Sequence, residues 1–568
     1  MRFGRVIAVC AALAAALVAS AGPAAAARSH AKPLPALTRV APDALTRALA
    51  DGEITSAKYA LERARSLFAR AAVSRSYGAV ARPDPRATTL ILRDLALRAR
   101  QLSGADRRAA LAILGRPTTY NASVDPDSYT TTEATPVCGV NVCVHYVTTT
   151  ADAVDPTDVS PANGVPDYVD QALDVFDNQV WGHEVGTLGY RQPKSDTSST
   201  NNGASTADPT GAKFDVYLAN LGDSSLYGYC TTDDPNLVDP SSTYQFYDAS
   251  AYCVVDNNFT ESIFQNHTPL ENLEVTAAHE FFHAVQFSYD AAEDQWLMEG
   301  TAVWMEDNAY TDINDNLQYM PDSPIAKPTI PLDRGQTQAM PCCHQYGDWI
   351  WFRFLSEWLD PTHTTQDPNV IREIWERADG SPTGVDDYST LAVSHVLTAR
   401  GKSFKNAFAT FGWINRVAKI WYLEGASYTN APLSASAMAL SRTAPSRTKT
   451  VAMSHQTQRY YEFRRGTRVS STAHLTLVFD LPSSSTGSAA SALVFHKTGT
   501  VKPYRFALSS LGNGTFRLAF GSGVSKVDVV LTNASTRYGS CWAQATPYAC
   551  SGVSLDDGRA YRFTARLS

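Results

Sequence analysis

Between Leu37 and about Leu114, apolar residues recur every three or four positions among many arginines, as in DALTRALADGEITSAKYALERARSLFARA and LILRDLALRARQLSGADRRAALAIL. That period predicts helices. From Thr118 to about Asn258 the pattern changes to short Tyr, Thr and Val runs, CVHYVTTT and KFDVYLANLG, separated by turn-rich segments. These read as strands. One helix is expected among them, opening near Pro166 with Tyr168, Val169, Ala172, Leu173 and Phe176 on one face. From Thr268 to about Gly425 the helical period returns. Thr268-Pro269-Leu270-Glu271 supplies an N-cap, a proline at the first helical position and a glutamate placed for a capping box. Asp367-Pro368 opens another helix, with Val370, Ile371, Ile374 and Trp375 as its apolar face, and Ser403 caps a third. Beyond Ala444 strands and turns alternate to the end (HLTLVFDLP, ALVFHKTG, TFRLAFGSG, KVDVVLTN, RAYRFTARL), which predicts an all-β sandwich.

At 568 residues the chain exceeds one ordinary core. We divide it into a signal peptide (1–27), a helical N-terminal segment (28–117), a mixed central domain (118–443) and the sandwich (444–568). The signal peptide rests on Arg2 and Arg5, an apolar run from Val6 to about Ala19, and small residues ending in Ala25-Ala26-Ala27. That run is too short to span a bilayer comfortably, and no later stretch is apolar enough. A secreted, extracellular protein with no membrane contact after signal removal is expected. The helical segment reads either as a small domain or extension of the central one, or as a propeptide. Net charge is −8, and loss of Arg2 and Arg5 brings it to −10, which with no basic cluster excludes nucleic acid as the expected partner.

Nine cysteines include Cys10 in the signal peptide, leaving eight for the exported chain. An even number there predicts disulfides. Short loops favour Cys138 with Cys143, Cys230 with Cys253, and Cys541 with Cys550, leaving the adjacent pair Cys342 and Cys343.

The candidate chemistry lies in LENLEVTAAHEFFHAVQFSYD. His279 and His283 stand four apart on a capped helix, so both imidazoles leave the same face one turn apart and can share one Zn2+ ion. Glu280, rotated about 100° around the helix, can act on a water at that ion as general base without being a ligand. A catalytic zinc needs a third protein group. The third histidine of the metzincin pattern is missing from AVQFSYD, whereas QWLMEGTAVWMED offers Glu299 on the next helix, sharing a face with Val303 and Glu306. Its neighbours Trp296, Leu297, Met298 and Trp304 argue for burial, and a buried carboxylate needs a partner. Gly300 is expected to let the two helices approach closely.

HEFFH followed by MEGTAVWME resembles the gluzincin metallopeptidases, the thermolysin and zinc aminopeptidase clan. The order NGVPDYVDQALDVF, LGYR, FDVYLANLG with YGYC, HEFFHAVQ and EGTAVWME also resembles exported bacterial metalloproteases with an HEFFH motif. The resemblance implies an α+β fold: a thermolysin-like zincin catalytic domain over 118–443, strand-rich first and helical afterwards, preceded by the helical segment and followed by the sandwich. It implies His279, His283 and Glu299 as metal ligands, Glu280 as base, and a metalloendopeptidase acting on polypeptide substrates.

Such a reaction needs an oxyanion donor. In CCHQYGDWIWFRFL, Tyr346 is the favoured candidate over His344, against a packed tyrosine and a cap-region histidine. Asp155, Asp158, Asn163 and Asp167 around Gly164 form either a structural Ca2+ site or an Asx-rich turn. TYQFYDASAYCVVDN is either an edge strand that pairs with substrate or an internal strand. The sandwich aromatics Tyr460, Tyr461, Tyr504 and Trp542 read as core or interface residues before a sugar platform, although cell-surface or glycan contact through this domain stays open. Two other functions compete: an extracellular adhesion or binding protein on a catalytically silent zincin fold, and a zinc hydrolase of a non-peptide amide or ester. No G-x-S-x-G occurs to support a serine hydrolase.

Overall fold

The structure, a computed structural model, describes residues 34, 43–118, 128–260, 262–335, 343–542 and 546–568. The expected signal peptide and Cys342 lie outside the described residues. The chain is mixed helix and sheet, with four sheets among the described residues.

The N-terminal segment forms helices Ala44–Ala50, Ser56–Tyr77, Thr88–Ala96 and Gly104–Ile113. Asp43 and Thr55 cap the first two, each accepting from a backbone N–H three residues on. All nine residues of Thr88–Ala96 are buried. Its Leu90, Ile91, Leu92 and Leu95 belong to the same apolar core as Phe281, Phe282 and Trp304 of the central domain. Arg93, fully buried, donates to the Glu293 carbonyl at 2.9 Å. Arg116, also fully buried, pairs with Asp196, Asp215 and Asp233. Arg116 is the shared guanidinium of these three aspartates, of which Asp215 also meets His145 at 3.0 Å, so this arginine is part of the central domain's framework.

The central sheet runs in the order Val137–Cys138, Val142–His145, Phe214–Ala219, Tyr252–Asp256, Gly228–Thr231. The two middle junctions are parallel and the outer two antiparallel. Of the two readings of TYQFYDASAYCVVDN, the internal one holds. Tyr252–Asp256 is buried along its whole length, flanked on both sides, and the edge is Gly228–Thr231. The helix opening at Asp167 buries Val169, Ala172 and Phe176 and runs on past Leu173 in wider π-type turns to Thr187.

The helix Pro269–Asp290 starts at the expected capping box: Glu271 donates its backbone N–H to the Thr268 hydroxyl at 3.3 Å, and its carboxylate accepts from the Thr268 N–H at 2.8 Å. A short loop leads to the helix Gln295–Ala309. Gly300 corrects one expectation. A Cβ there would lie 2.8 Å from the Phe352 ring and 3.3 Å from the Asp348 Cβ. The close approach is thus to the helix Trp349–Leu359 and its N-cap, not to Pro269–Asp290. Helices Asn369–Arg377 and Phe404–Asn415 follow as patterned, with Val370, Ile371, Ile374 and Trp375 buried and Ser403 accepting from the Asn406 N–H.

The C-terminal part is two packed sheets. One orders Val501–Arg505, Ser488–His496, Val524–Asn533, Thr457–Arg465 and Met438–Leu440; the other orders Asn513–Ala519, His474–Asp480, Arg559–Leu567 and Ser446–Met453. They enclose a second core including Phe463, Leu477, Val529 and Phe563. Tyr460 is buried and donates to the Gly412 carbonyl at 3.0 Å, joining the sandwich to the helical part. Tyr461 is buried, Tyr504 is half-buried against the sandwich core, and Trp542 packs edge-on to Tyr388. None of the four stands out as an exposed stacking platform.

Disulfides join Cys138 to Cys143, Cys230 to Cys253, and Cys541 to Cys550, as expected from the loop lengths. No helix among the described residues is long and apolar enough to cross a membrane.

Candidate metal centre

The i, i+4 spacing does what it predicts. His279 and His283 project from one face of Pro269–Asp290, with their Nε2 atoms 3.1 Å apart. Glu299 reaches them from Gln295–Ala309, its Oε2 3.3 Å from the first Nε2 and 3.7 Å from the second. The three donor groups lie within 4.8 Å of one another, and they form the one such group found among the described residues.

The remaining ring nitrogens decide what the site can hold. His279 Nδ1 lies 2.5 Å from a Glu306 carboxylate oxygen, and His283 Nδ1 lies 2.7 Å from the Gln286 Oε1. The Gln286 amide is oriented by donating to the Met298 carbonyl and the Thr301 hydroxyl. Its oxygen must therefore accept, and His283 carries its proton on Nδ1. The same assignment at His279 turns two Nε2 lone pairs and a carboxylate toward one point. Neither oxygen of the fully buried Glu299 makes a hydrogen bond. Burial pushes the Glu299 carboxyl upward, but the two imidazoles outweigh it and hold it at about 2. Burial dominates at Glu306 and pushes it up to about 8, against the pull of His279. Two Nε2 atoms and a carboxylate converging on one point fit a cation that takes the place of the shared proton, and two imidazoles with one carboxylate are the donor set of zinc more than of an all-oxygen calcium site.

Glu280, 9% exposed, sits at the edge of this group with its Oε2 accepting from the Thr89 hydroxyl at 2.9 Å. Thr89 in turn accepts from the Cys230 N–H of the edge strand at 3.0 Å. Tyr346 enters the same cavity, of about 290 Å³, which also exposes His279, Glu306, Tyr319 and Arg86. Its ring lies parallel to that of Tyr319 at 5.2 Å, and its hydroxyl donates to the Arg86 carbonyl at 2.7 Å. His344 is not brought to the cavity. It is buried with its ring nitrogens at the Asp322 and Pro331 carbonyls.

The structure thus assembles His279, Glu280, His283, Glu299 and Tyr346. Among the candidate calcium residues, Asp155, Asp158 and Asp167 each accept backbone N–H groups of their own turn, at 2.8 to 2.9 Å. Four further residues, Glu306, Gln286, Thr89 and Arg86, belong to the site. Glu306 stands seven residues from Glu299 and Gln286 three from His283, so helical spacing marks both faces. No local signal marks Thr89 or Arg86.

No family model and no curated protein matches the chain. Among solved structures, the pre-peptidase C-terminal domain of a collagenase from Bacillus anthracis is similar at 12% identity and a TM-score of 0.15, over 25% of this chain and all of that one. A family GH115 4-O-methyl-α-glucuronidase with specificity for decorated arabinogalactans is similar at 9% identity and a TM-score of 0.12, over 65% of this chain and 54% of that one. Scores this low carry no argument about this chain.

Proposed function

We propose that the protein is an exported zinc-dependent endopeptidase of the gluzincin type, with a thermolysin-like catalytic centre. The observation that carries the reading is the convergence of two imidazole Nε2 atoms and the buried Glu299 carboxylate, with Glu280 beside them. The three disulfides fit an oxidising compartment and support export.

His279, His283 and Glu299 would hold the zinc, which when bound would supply Lewis acidity toward the scissile carbonyl and an attacking water. Glu280 accepts the proton of that water and returns it to the leaving amine. The Thr89 hydroxyl fixes one oxygen of the Glu280 carboxylate and leaves the other for the proton. Tyr346 is the oxyanion donor in this reading, since its hydroxyl already meets a peptide carbonyl, that of Arg86, inside the cavity. Glu306 and Gln286 orient the two imidazoles by holding their Nδ1 protons.

The test pairs metal analysis with hydrolysis of casein by wild type and Glu280→Gln. One zinc per chain in both, with cleavage by wild type alone, supports the assignment. Zinc in wild type without cleavage of any polypeptide by wild type or by Arg86→Ala rejects the peptidase reading, and absence of zinc rejects the metal centre.

A further inference from the structure

We infer that the cavity beside the metal centre selects polypeptides through a positively charged side chain, and that Arg86 now fills that subsite from within the chain. The inference deepens the peptidase reading and rests on it only for cleavage, since selective binding can be measured without turnover.

The placement of Arg86 is that of a bound peptide residue. Its backbone carbonyl accepts the Tyr346 hydroxyl at 2.7 Å, the contact assigned above to a substrate carbonyl. Its guanidinium pairs with Asp84 at 3.1 Å, and its carbon lies 5.9 Å from the centre of the Tyr319 ring, a cation over an aromatic face. Three residues along, the Thr89 hydroxyl meets Glu280. One short stretch of backbone therefore touches the oxyanion donor and the base while presenting a cation to the aromatic wall.

The rest of the cavity is built for such a cation. Asp84, Glu280 and Asp315 contribute carboxylates, and Tyr227, Tyr319 and Tyr346 contribute rings. Apart from Arg86, no lysine or arginine lines it among the described residues. Asp315 is shared with His267 at 3.0 Å and Asp84 pairs with Arg86 from within its own turn, so the ring of Tyr319 carries most of the preference. A glutamate side chain entering here would face carboxylates and the electron-rich ring faces, and both disfavour it.

The experiment measures binding of two labelled pentapeptides, Ala-Ala-Arg-Ala-Ala and Ala-Ala-Glu-Ala-Ala, by fluorescence anisotropy. The full chain carries Glu280→Gln to prevent turnover and Arg86→Ala to vacate the subsite, with Arg86→Gln as a second form should the first fold poorly. The arginine peptide is expected to bind about tenfold more tightly than the glutamate peptide, with the gap falling to about twofold when Tyr319→Leu is added. Equal affinities, a preference for glutamate, or no binding of either peptide overturns the inference. Selective binding of the arginine peptide, without its cleavage by the zinc-loaded Arg86→Ala form bearing an intact Glu280, keeps the subsite and rejects the peptidase reading.

Discussion

His455 joins the sandwich to the rest of the protein through charges that titrate in an accessible range. The imidazole is fully buried, with Nε2 2.9 Å from Asp333 and Nδ1 2.7 Å from Asp557. Asp333 belongs to the loop after Pro331, and its second oxygen accepts from the Tyr538 hydroxyl and the Ala549 N–H of the sandwich. Burial disfavours the imidazolium, but the two carboxylates more than compensate and raise the group to about 9. The unfolded value is roughly 6.5, so about 2.5 pH units at 1.36 kcal/mol each correspond to ~3 kcal/mol of linkage. Because the folded pKa is the higher one, this stability is fully present below about pH 6.5 and is lost as pH rises through about 9. Tyr538, which faces His455, is pushed well up by burial and by Asp333, so its own ionisation stays out of that window. The assay is urea unfolding of wild type and His455→Gln from pH 6 to pH 10.5, followed by tryptophan fluorescence. The stability difference between the two should shrink by ~3 kcal/mol across that range. A difference independent of pH would show instead that His455 is held neutral.

Three further outcomes are expected. Glu306→Gln should weaken zinc binding by about 10- to 100-fold in chelator competition, because it removes the carboxylate that holds the His279 Nδ1 proton; unchanged affinity would contradict that role. Thr89→Val should cost ~1–3 kcal/mol by stranding the buried Cys230 N–H and should lower kcat with little change in KM, while Thr89→Ser retains both; equal behaviour of the two variants would reject the hydroxyl's part. Gly300→Ala should lower stability by ~1–3 kcal/mol, since the new Cβ would press on Phe352 at 2.8 Å; a thermal midpoint unmoved by the change would show that the Phe352 ring yields freely.

The parts of the protein legible in the sequence are those encoded by local period. The HEFFH helix and its cap could be read because a 3.6-residue repeat fixes which residues share a face, and that spacing is enough to bring His279 and His283 together. Glu299 was legible from the apolar company it keeps, which predicts the burial observed. The sandwich strands followed from simple alternation, and the three disulfides followed from short loops. What spacing does not encode is pairing over long separations. Thr89 and Glu280 are 191 residues apart and Arg86 and Tyr346 are 260 apart, so neither contact leaves a mark on either neighbourhood. The same limit misassigned Gly300, because a glycine announces a close approach without naming its partner. The sheet edge fell to the four-residue strand Gly228–Thr231, too short to show a period of its own.

The proposed activity depends on one zinc ion held by His279, His283 and Glu299. Anomalous diffraction at the zinc edge, from crystals of the full chain, tests it directly. A single strong peak is expected at about 2.0–2.2 Å from the Nε2 of each histidine and from a Glu299 carboxylate oxygen, lost in Glu299→Ala. A peak elsewhere, or none between these three side chains in a protein supplied with zinc, would contradict it.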